Sequence, residues 1–230
     1  MFKPHGDKHF MVDEALLDRL AGYANLADDD VVLEVGPGTG NLTGHLVGRC
    51  SQVIAVEKDR TLSRSLAKKF GNRIKLLEGD VLKMRLPEFD KCVSNLPYSI
   101  SRKFMVKLLT LDFEAAVLVV QSEFADKLNA KPGNDNYRMI SALAQSTAEI
   151  EILERIPQEA FDPKPNVTST AVRIRPKRRA GQEYINFLNN LFNHKNKKLR
   201  NIMDGLSESV GEKRPVELEP EELVSIYESL

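Results

Sequence analysis

Val31-Val32-Leu33-Glu34-Val35-Gly36-Pro37-Gly38-Thr39-Gly40 reads as a strand that runs into a glycine turn. Apart from Glu34 the first five residues are apolar, and such continuous runs mark strands buried on both faces of a parallel sheet. Glycines after such a strand let the backbone approach a ligand closely. A helix over Asn41–Gly48 follows, then a second strand, Val53–Val56, that ends at Glu57. A carboxylate about twenty residues after the first turn sits where ribose hydroxyls are gripped. A third strand, Ile74–Leu77, leads into Glu78-Gly79-Asp80, and a carboxylate there suits an adenine amino group. This much fits NAD and other adenosine ligands alike, although a dinucleotide turn prefers a different third glycine spacing.

Outward from this core the alternation continues. Asp13–Ala24 has Ala15, Leu16, Leu20 and Tyr23 near one helical face, with Asp13 placed to cap it. Arg60–Phe70, Ile100–Leu109, Ser122–Ala130 and Tyr137–Ser146 read as further helices. Lys91–Ser94, Ala115–Val120, Glu149–Leu153 and Thr170–Arg175 read as strands. Strands alternating with helices predict an α/β fold with a doubly wound parallel sheet. After Pro176 the pattern is helical, over Tyr184–Phe192, Lys197–Leu206 and Pro220–Ser229. Arg175–Gly181 then reads as a linker between a larger domain, residues 1–176, and a small helical domain, residues 177–230.

The 230 residues are 42% hydrophobic and 29% charged, the balance of a soluble globular protein. Net charge is zero, with 33 bases and 33 acids, but the distribution is uneven. Arg173 to Asn201 holds nine Lys/Arg and one acid, a local charge of +8, and Ile202 to the end carries −6. The basic residues Arg178, Arg179, Lys195, Lys197, Lys198 and Arg200 are candidates for RNA contact; the plainer reading is two solvated helix faces. Cys50 and Cys92 form no disulfide framework, and the histidines (His5, His9, His45, His194) do not cluster. No metal site is expected, and a reducing cytoplasm fits best. No signal peptide or membrane-spanning run is expected either.

The fourth strand delivers Asn95-Leu96-Pro97-Tyr98 to the carboxyl end of the sheet, where open α/β sheets bind ligands. As an isolated tetrapeptide this is most simply a turn. Its chemistry also suits work on a planar amine. The adenine amine is a poor nucleophile because its lone pair is delocalised into the ring. Two acceptors gripping its hydrogens favour a pyramidal nitrogen and aim the lone pair. Asn95 supplies one acceptor, and a backbone carbonyl beside Pro97 supplies the other, because proline pushes its predecessor to extended geometry. Tyr98 offers a ring for base stacking.

Glu34-x-Gly36-x-Gly38-x-Gly40, Glu57, Gly79-Asp80 and Asn95–Tyr98, in this order on successive strand ends, resemble S-adenosylmethionine-dependent methyltransferases. More narrowly, the chain resembles the small-subunit ribosomal RNA adenine dimethyltransferases, from about Asp7 to Asn201. His9-Phe10-Met11-Val12-Asp13, Gln121–Ala125, Ala130–Gly133, Phe161-x-Pro163-x-Pro165 with Val167 and Ser169, and the basic stretch Phe192–Asn201, read as a helix, agree. The resemblance implies the Rossmann-like doubly wound sheet of class I methyltransferases with a small C-terminal helical domain. It implies S-adenosyl-L-methionine as cofactor, with His9 and Met11 closing over it. Gly36 and Gly38 would lie against it, Glu57 on its ribose and Asp80 on its adenine. Asn95 would touch both cofactor and target amine, Pro97 would belong to the same catalytic element, and Tyr98 and Phe161 would flank the flipped base. A core role for Phe161 is the alternative.

Lys8, Met11 and Arg138 depart from the family's usual glutamine, leucine and glycine. The chain ends sooner after the basic stretch than bacterial members do, which points to an archaeal-type member. The implied reaction is sequential dimethylation of two adjacent adenosines in a hairpin loop near the 3′ end of small-subunit rRNA. The implied partner is the immature small ribosomal subunit, and the implied state is a monomer. A large-subunit rRNA adenine methylase, and an assembly-binding factor whose methylation is secondary, are the alternatives.

Overall fold

The computed structural model describes residues 9–230; His5, Asp7 and Lys8 lie outside them. In chain order the elements begin with β1 (Phe10–Met11), α1 (Glu14–Tyr23), β2 (Val31–Val35), α2 (Asn41–Leu46) and β3 (Gln52–Glu57). They continue with α3 (Arg60–Phe70), β4 (Ile74–Glu78), β5 (Lys91–Asn95), α4 (Ser101–Leu108), β6 (Ala115–Gln121), α5 (Ser122–Leu128) and α6 (Met139–Thr147). The last are β7 (Ala148–Ile156), β8 (Phe161–Asp162), β9 (Ser169–Pro176), α7 (Gln182–Asn193), α8 (Glu208–Gly211) and α9 (Pro220–Glu228).

Local chemistry explains the sharper boundaries. Asp13 caps α1 by accepting from Leu16 N at 3.0 Å, and Asp59 caps α3 by accepting from Thr61 N at 2.8 Å and Leu62 N at 3.0 Å. Leu62, Leu66 and Phe70 then recur at four-residue spacing and bury one stripe of α3.

Seven strands form one sheet in the order β4-β3-β2-β5-β6-β9-β7. The first five in that order pair in parallel. Successive residues of β2 point to opposite faces: Val32 packs with α1, α2 and α3, and Leu33 and Val35 pack with the helices on the other side. The parallel expectation fails at the end of the sheet. β9 runs antiparallel to both β6 and β7. The connection from β7 to β9 holds a single 3₁₀ turn, Gln158–Ala160, and the two-residue β8, not the crossover helix that a parallel return requires. β8 in turn pairs antiparallel with β1, Phe10 with Asp162 and Met11 with Phe161, a small second sheet with no periodic signal in the sequence.

The carboxyl-terminal segment also differs from expectation. No α-helix covers residues 197–206. α7 ends at Asn193, and a single 3₁₀ turn, Leu199–Asn201, follows. Lys197 and Arg200, three residues apart, would repel one another on such a helix. Leu199 is fully buried instead, and its N–H donates to Lys213 O at 2.8 Å. Nor does this segment have a core of its own. Tyr184, Leu188, Leu199, Leu218 and Leu223 belong to the same apolar cluster as Leu118 of β6 and Leu143 of α6. Polar bonds stitch the same seam: Tyr137 OH donates to Leu218 O at 3.1 Å, and Tyr184 OH to Ser146 Oγ at 2.9 Å. The division at 176/177 therefore marks the end of the sheet and not the start of an independent core.

Candidate active site

The carboxyl ends of β2, β3, β4 and β5 meet at one edge of the sheet. Gly36 and Gly38 take φ of +66° and +60°, the left-handed region that L side chains resist. A Cβ on Gly38 would lie 2.7 Å from the Phe10 ring, and one on Gly36 would lie 3.2 Å from the Pro97 ring. The turn thus leaves its backbone bare and presses against both the amino-terminal arm and the Asn95–Tyr98 element.

Glu57 braces this turn. Its Oε2 accepts from Gly38 N at 3.2 Å and its Oε1 from Asp59 N at 2.8 Å. Burial raises its pKa, and these backbone donors pull the other way. Asp80 is opposite in character. Its Oδ1 accepts from Leu82 N at 3.0 Å and its Oδ2 from Lys58 Nζ at 3.2 Å, and both bonds lower its pKa. Glu34, 1% exposed, accepts from Thr43 Oγ1 at 2.6 Å, yet desolvation pushes its carboxyl up to about 8.

The Asn95–Tyr98 element is held from three sides. Ser94 Oγ accepts from Val35 N at 2.8 Å, and Leu96 N donates to Val119 O at 3.1 Å. The Pro97 carbonyl is taken by Ile100 N at 3.1 Å and Ser101 Oγ at 3.3 Å; the Leu96 carbonyl stays outside that turn. Asn95 Nδ2 donates to His9 O at 3.1 Å, which turns the amide nitrogen to the arm and leaves Oδ1 as its acceptor. The His9 ring stacks on Tyr98 at 5.7 Å between centroids and 28° between planes, and its Nδ1–H donates to Pro163 O at 2.8 Å. Tyr98 OH and Ser169 Oγ are 2.6 Å apart.

These groups surround one cavity of about 460 Å³. Its lining includes His9, Met11, Gly36, Gly38, Glu57 and Asp80, and on the opposite wall Asn95, Pro97 and Tyr98. The family model for ribosomal RNA adenine dimethylase matches residues 2–219. The chain belongs to this family.

Relatives agree in sequence. A probable ribosomal RNA small subunit methyltransferase A from Pyrococcus abyssi is 40% identical over 83% of this chain and 71% of its own length. The protein of the same name from Methanosarcina barkeri is 37% identical over 96% and 85%. A dimethyladenosine transferase structure from Plasmodium falciparum superposes with a TM-score of 0.85 at 26% identity, covering 95% of this chain and 96% of that one. The fold also matches the 23S rRNA methyltransferase ErmE, with a TM-score of 0.70 at 24% identity over 96% and 99% of the two chains.

The chain is thus an rRNA adenine methyltransferase that uses S-adenosylmethionine. The cavity fits that cofactor chemically. Bare glycine backbone and the carboxylates that follow β3 and β4, which can take a ribose and an adenine edge, line the same cavity as Asn95, Pro97 and Tyr98. No group of three or more His, Cys, Asp or Glu residues able to hold a metal is found among the described residues. No helix among them is long and apolar enough to cross a membrane.

Two expectations about surface and stacking change. Phe161 does not line the cavity. Pairing of β8 with β1 turns its ring inward, where it is 2% exposed, and turns Asp162 out; the core role is the one observed. The basic stretch is also less free than its composition implied. Arg178 meets Glu228 at 3.6 Å and lies over the Tyr184 ring. Arg179 meets Asp112 at 2.9 Å, and Lys198 and Arg200 both pair with Glu212. Folding brings the acidic tail back onto the basic residues, which charge summed along the chain cannot register. Lys195 and Lys197 have no ion-pair partner among the described residues. Ser94, Ser169 and Thr43 support the site without having stood out as site residues; only Ser169 lay within a recognised stretch.

Proposed function

We propose that this enzyme transfers two methyl groups in succession to the exocyclic amine of each of two adjacent adenosines. The target is a hairpin loop near the 3′ end of small-subunit rRNA, in the cytoplasm, on an immature small subunit, with the enzyme acting as a monomer. Loop bases are partly unstacked, so extruding one is less costly than from a duplex. The small-subunit assignment is supported by relatives of that name at 37–40% identity. The observation that carries the chemistry is the fixed Asn95 amide beside the Leu96 carbonyl, which accepts no backbone hydrogen bond among the described residues.

S-adenosylmethionine supplies an electrophilic methyl on a sulfonium. Glu57 accepts from the ribose hydroxyls, Asp80 accepts from the adenine amine, and His9 and Met11 cover the site from the arm. Asn95 Oδ1 and Leu96 O accept the two hydrogens of the target amine and favour its pyramidal form. Their gain grows as positive charge develops on that nitrogen. Pro97 keeps Leu96 extended, and Tyr98 stacks the base beside the His9 ring. After one transfer a single N–H remains, so one acceptor must tolerate a methyl group. The test supplies labelled S-adenosylmethionine with small subunits, large subunits and DNA in parallel, then digests to nucleosides. Label in N6,N6-dimethyladenosine from the small subunit is expected; label confined to large-subunit RNA or DNA overturns the assignment.

A further inference from the structure

Besides Lys58, which lines the cavity and pairs with Asp80, exposed cations outside the basic carboxyl-terminal stretch follow the cavity wall in sequence. α4 starts three residues after Tyr98, and Ser99 and Ile100 on the way to it line the cavity. Its first turn carries Arg102 and Lys103, both exposed and without an ion-pair or hydrogen-bond partner among the described residues. Four of the six candidate RNA-binding cations hold an acid; these two hold none. Their position also runs against helix electrostatics. The first turn of α4 has no acidic residue and no side-chain cap, so two positive charges stand at the positive end of the helix dipole with nothing to offset them.

A third cation joins them. Lys107, one turn after Lys103 on the same face, donates through Nζ to Val81 O at 2.6 Å and Met84 O at 2.5 Å. That face of α4 therefore abuts the loop that leaves Asp80 in the cavity wall. The same loop carries Arg85, exposed and without an ion-pair partner among the described residues. A base drawn into the cavity keeps its phosphates outside, at the mouth, where charge has to be met.

We propose that Arg102 and Lys103, with Arg85 beside them, grip the RNA phosphates flanking the target adenosine. These cations set the register of the strand at the mouth. The proposal rests on the reading of an RNA adenosine as substrate. Phosphate neutralisation carries a defined signature: log Kobs falls linearly with log[salt], and each phosphate no longer neutralised takes up to about one from the slope.

The experiment measures small-subunit RNA binding against salt for the wild type, R102Q/K103Q, R102K/K103R and K198Q/R200Q. Affinity for S-adenosylmethionine and the far-UV circular dichroism of each are measured alongside. R102Q/K103Q should flatten the slope by roughly one to two with cofactor affinity unchanged. R102K/K103R should keep the slope, because the slope follows the number of phosphates neutralised and each side chain still carries one positive charge. K198Q/R200Q, which removes two cations that share the one negative charge of Glu212, should move it less. A wild-type slope in folded, cofactor-binding R102Q/K103Q overturns the proposal, as does a loss of binding that salt does not modulate. A parallel labelling arm separates this from the substrate reading. If the wild type labels no RNA adenine, both fall; if it labels RNA and the slopes coincide, only the phosphate assignment falls.

Discussion

Glu34→Gln isolates the effect of one buried carboxyl on stability. Glu34 stands at the end of β2 with 1% exposure. Desolvation raises its pKa most and the Glu57 charge adds to that; the Thr43 hydroxyl and the Lys69 charge oppose them, with the balance at about 8. Cys92 also faces it, a thiol that burial holds at about 12. A carboxyl with a folded pKa above its unfolded 4.5 keeps a proton that the unfolded chain has already released. Its stabilising contribution is full below the unfolded pKa and is lost as pH rises through about 8. At roughly 1.4 kcal/mol per tenfold, the whole effect is on the order of 5 kcal/mol, and roughly 3 kcal/mol of it falls between pH 6 and 9.

Glutamine keeps the shape and the acceptor for Thr43 but does not titrate. The stability of E34Q minus that of the wild type should therefore grow by roughly 3 kcal/mol from pH 6 to pH 9, whatever its sign at pH 6. Urea denaturation followed by far-UV circular dichroism at three pH values reads this difference directly. Thr43→Val removes a donor that favours the ionised form and should move the wild-type transition to higher pH. Parallel stability curves for E34Q and the wild type would refute the reasoning.

Three further outcomes are expected. Glu57→Gln should weaken S-adenosylmethionine binding by roughly 1.5–3 kcal/mol, read by calorimetry; unchanged affinity in a folded variant removes Glu57 from the ribose site. Asn95→Ala should slow single-turnover methylation far more than it weakens RNA binding, because its acceptor matters most as the amine pyramidalises; a near-normal rate would reduce Asn95 to a turn residue. Ser169→Ala removes the partner of the Tyr98 hydroxyl at 2.6 Å and should lower the yield of dimethyl relative to monomethyl product, with Ser169→Thr restoring it. If the Ser169→Ala product ratio matches the wild type, the hydroxyl pair has no part in holding the ring.

The legible parts of the chain were those in which local chemistry and tertiary use agree. Arg60–Phe70 was read to the residue because a capping aspartate and a four-residue apolar period both mark it. The parallel strands were legible because burial on both faces leaves unbroken apolar runs. The direction of β9 was not, since a strand's composition does not change with the direction in which it pairs, and only the short connection decides. Lys197–Leu206 looked helical from its leucine and isoleucine spacing. Tertiary packing instead drew Leu199 into the core and turned the flanking cations toward Glu212.

The placement of candidate residues was legible at the strand ends: Glu57, Asp80 and Asn95 line one cavity, as their order along the sheet predicts. What the sequence hid is the coupling between them. The arm has no helical or strand period, yet it is fixed at several points. Met11 pairs with Phe161, Val12 N donates to Ala160 O at 2.9 Å, and Asn41 Nδ2 donates to Met11 O at 2.7 Å. The His9 carbonyl so placed is what orients the Asn95 amide, and the His9 ring is what covers Tyr98. One element thus packs on the glycine turn through Phe10 and fixes the Asn95 amide through His9, and so touches both halves of the cavity. Phe161 is buried beneath that arm and packs in the same cluster as Met11. A change that loosens the β1–β8 pairing should therefore impair both halves of the site at once, although neither half contains the altered residue.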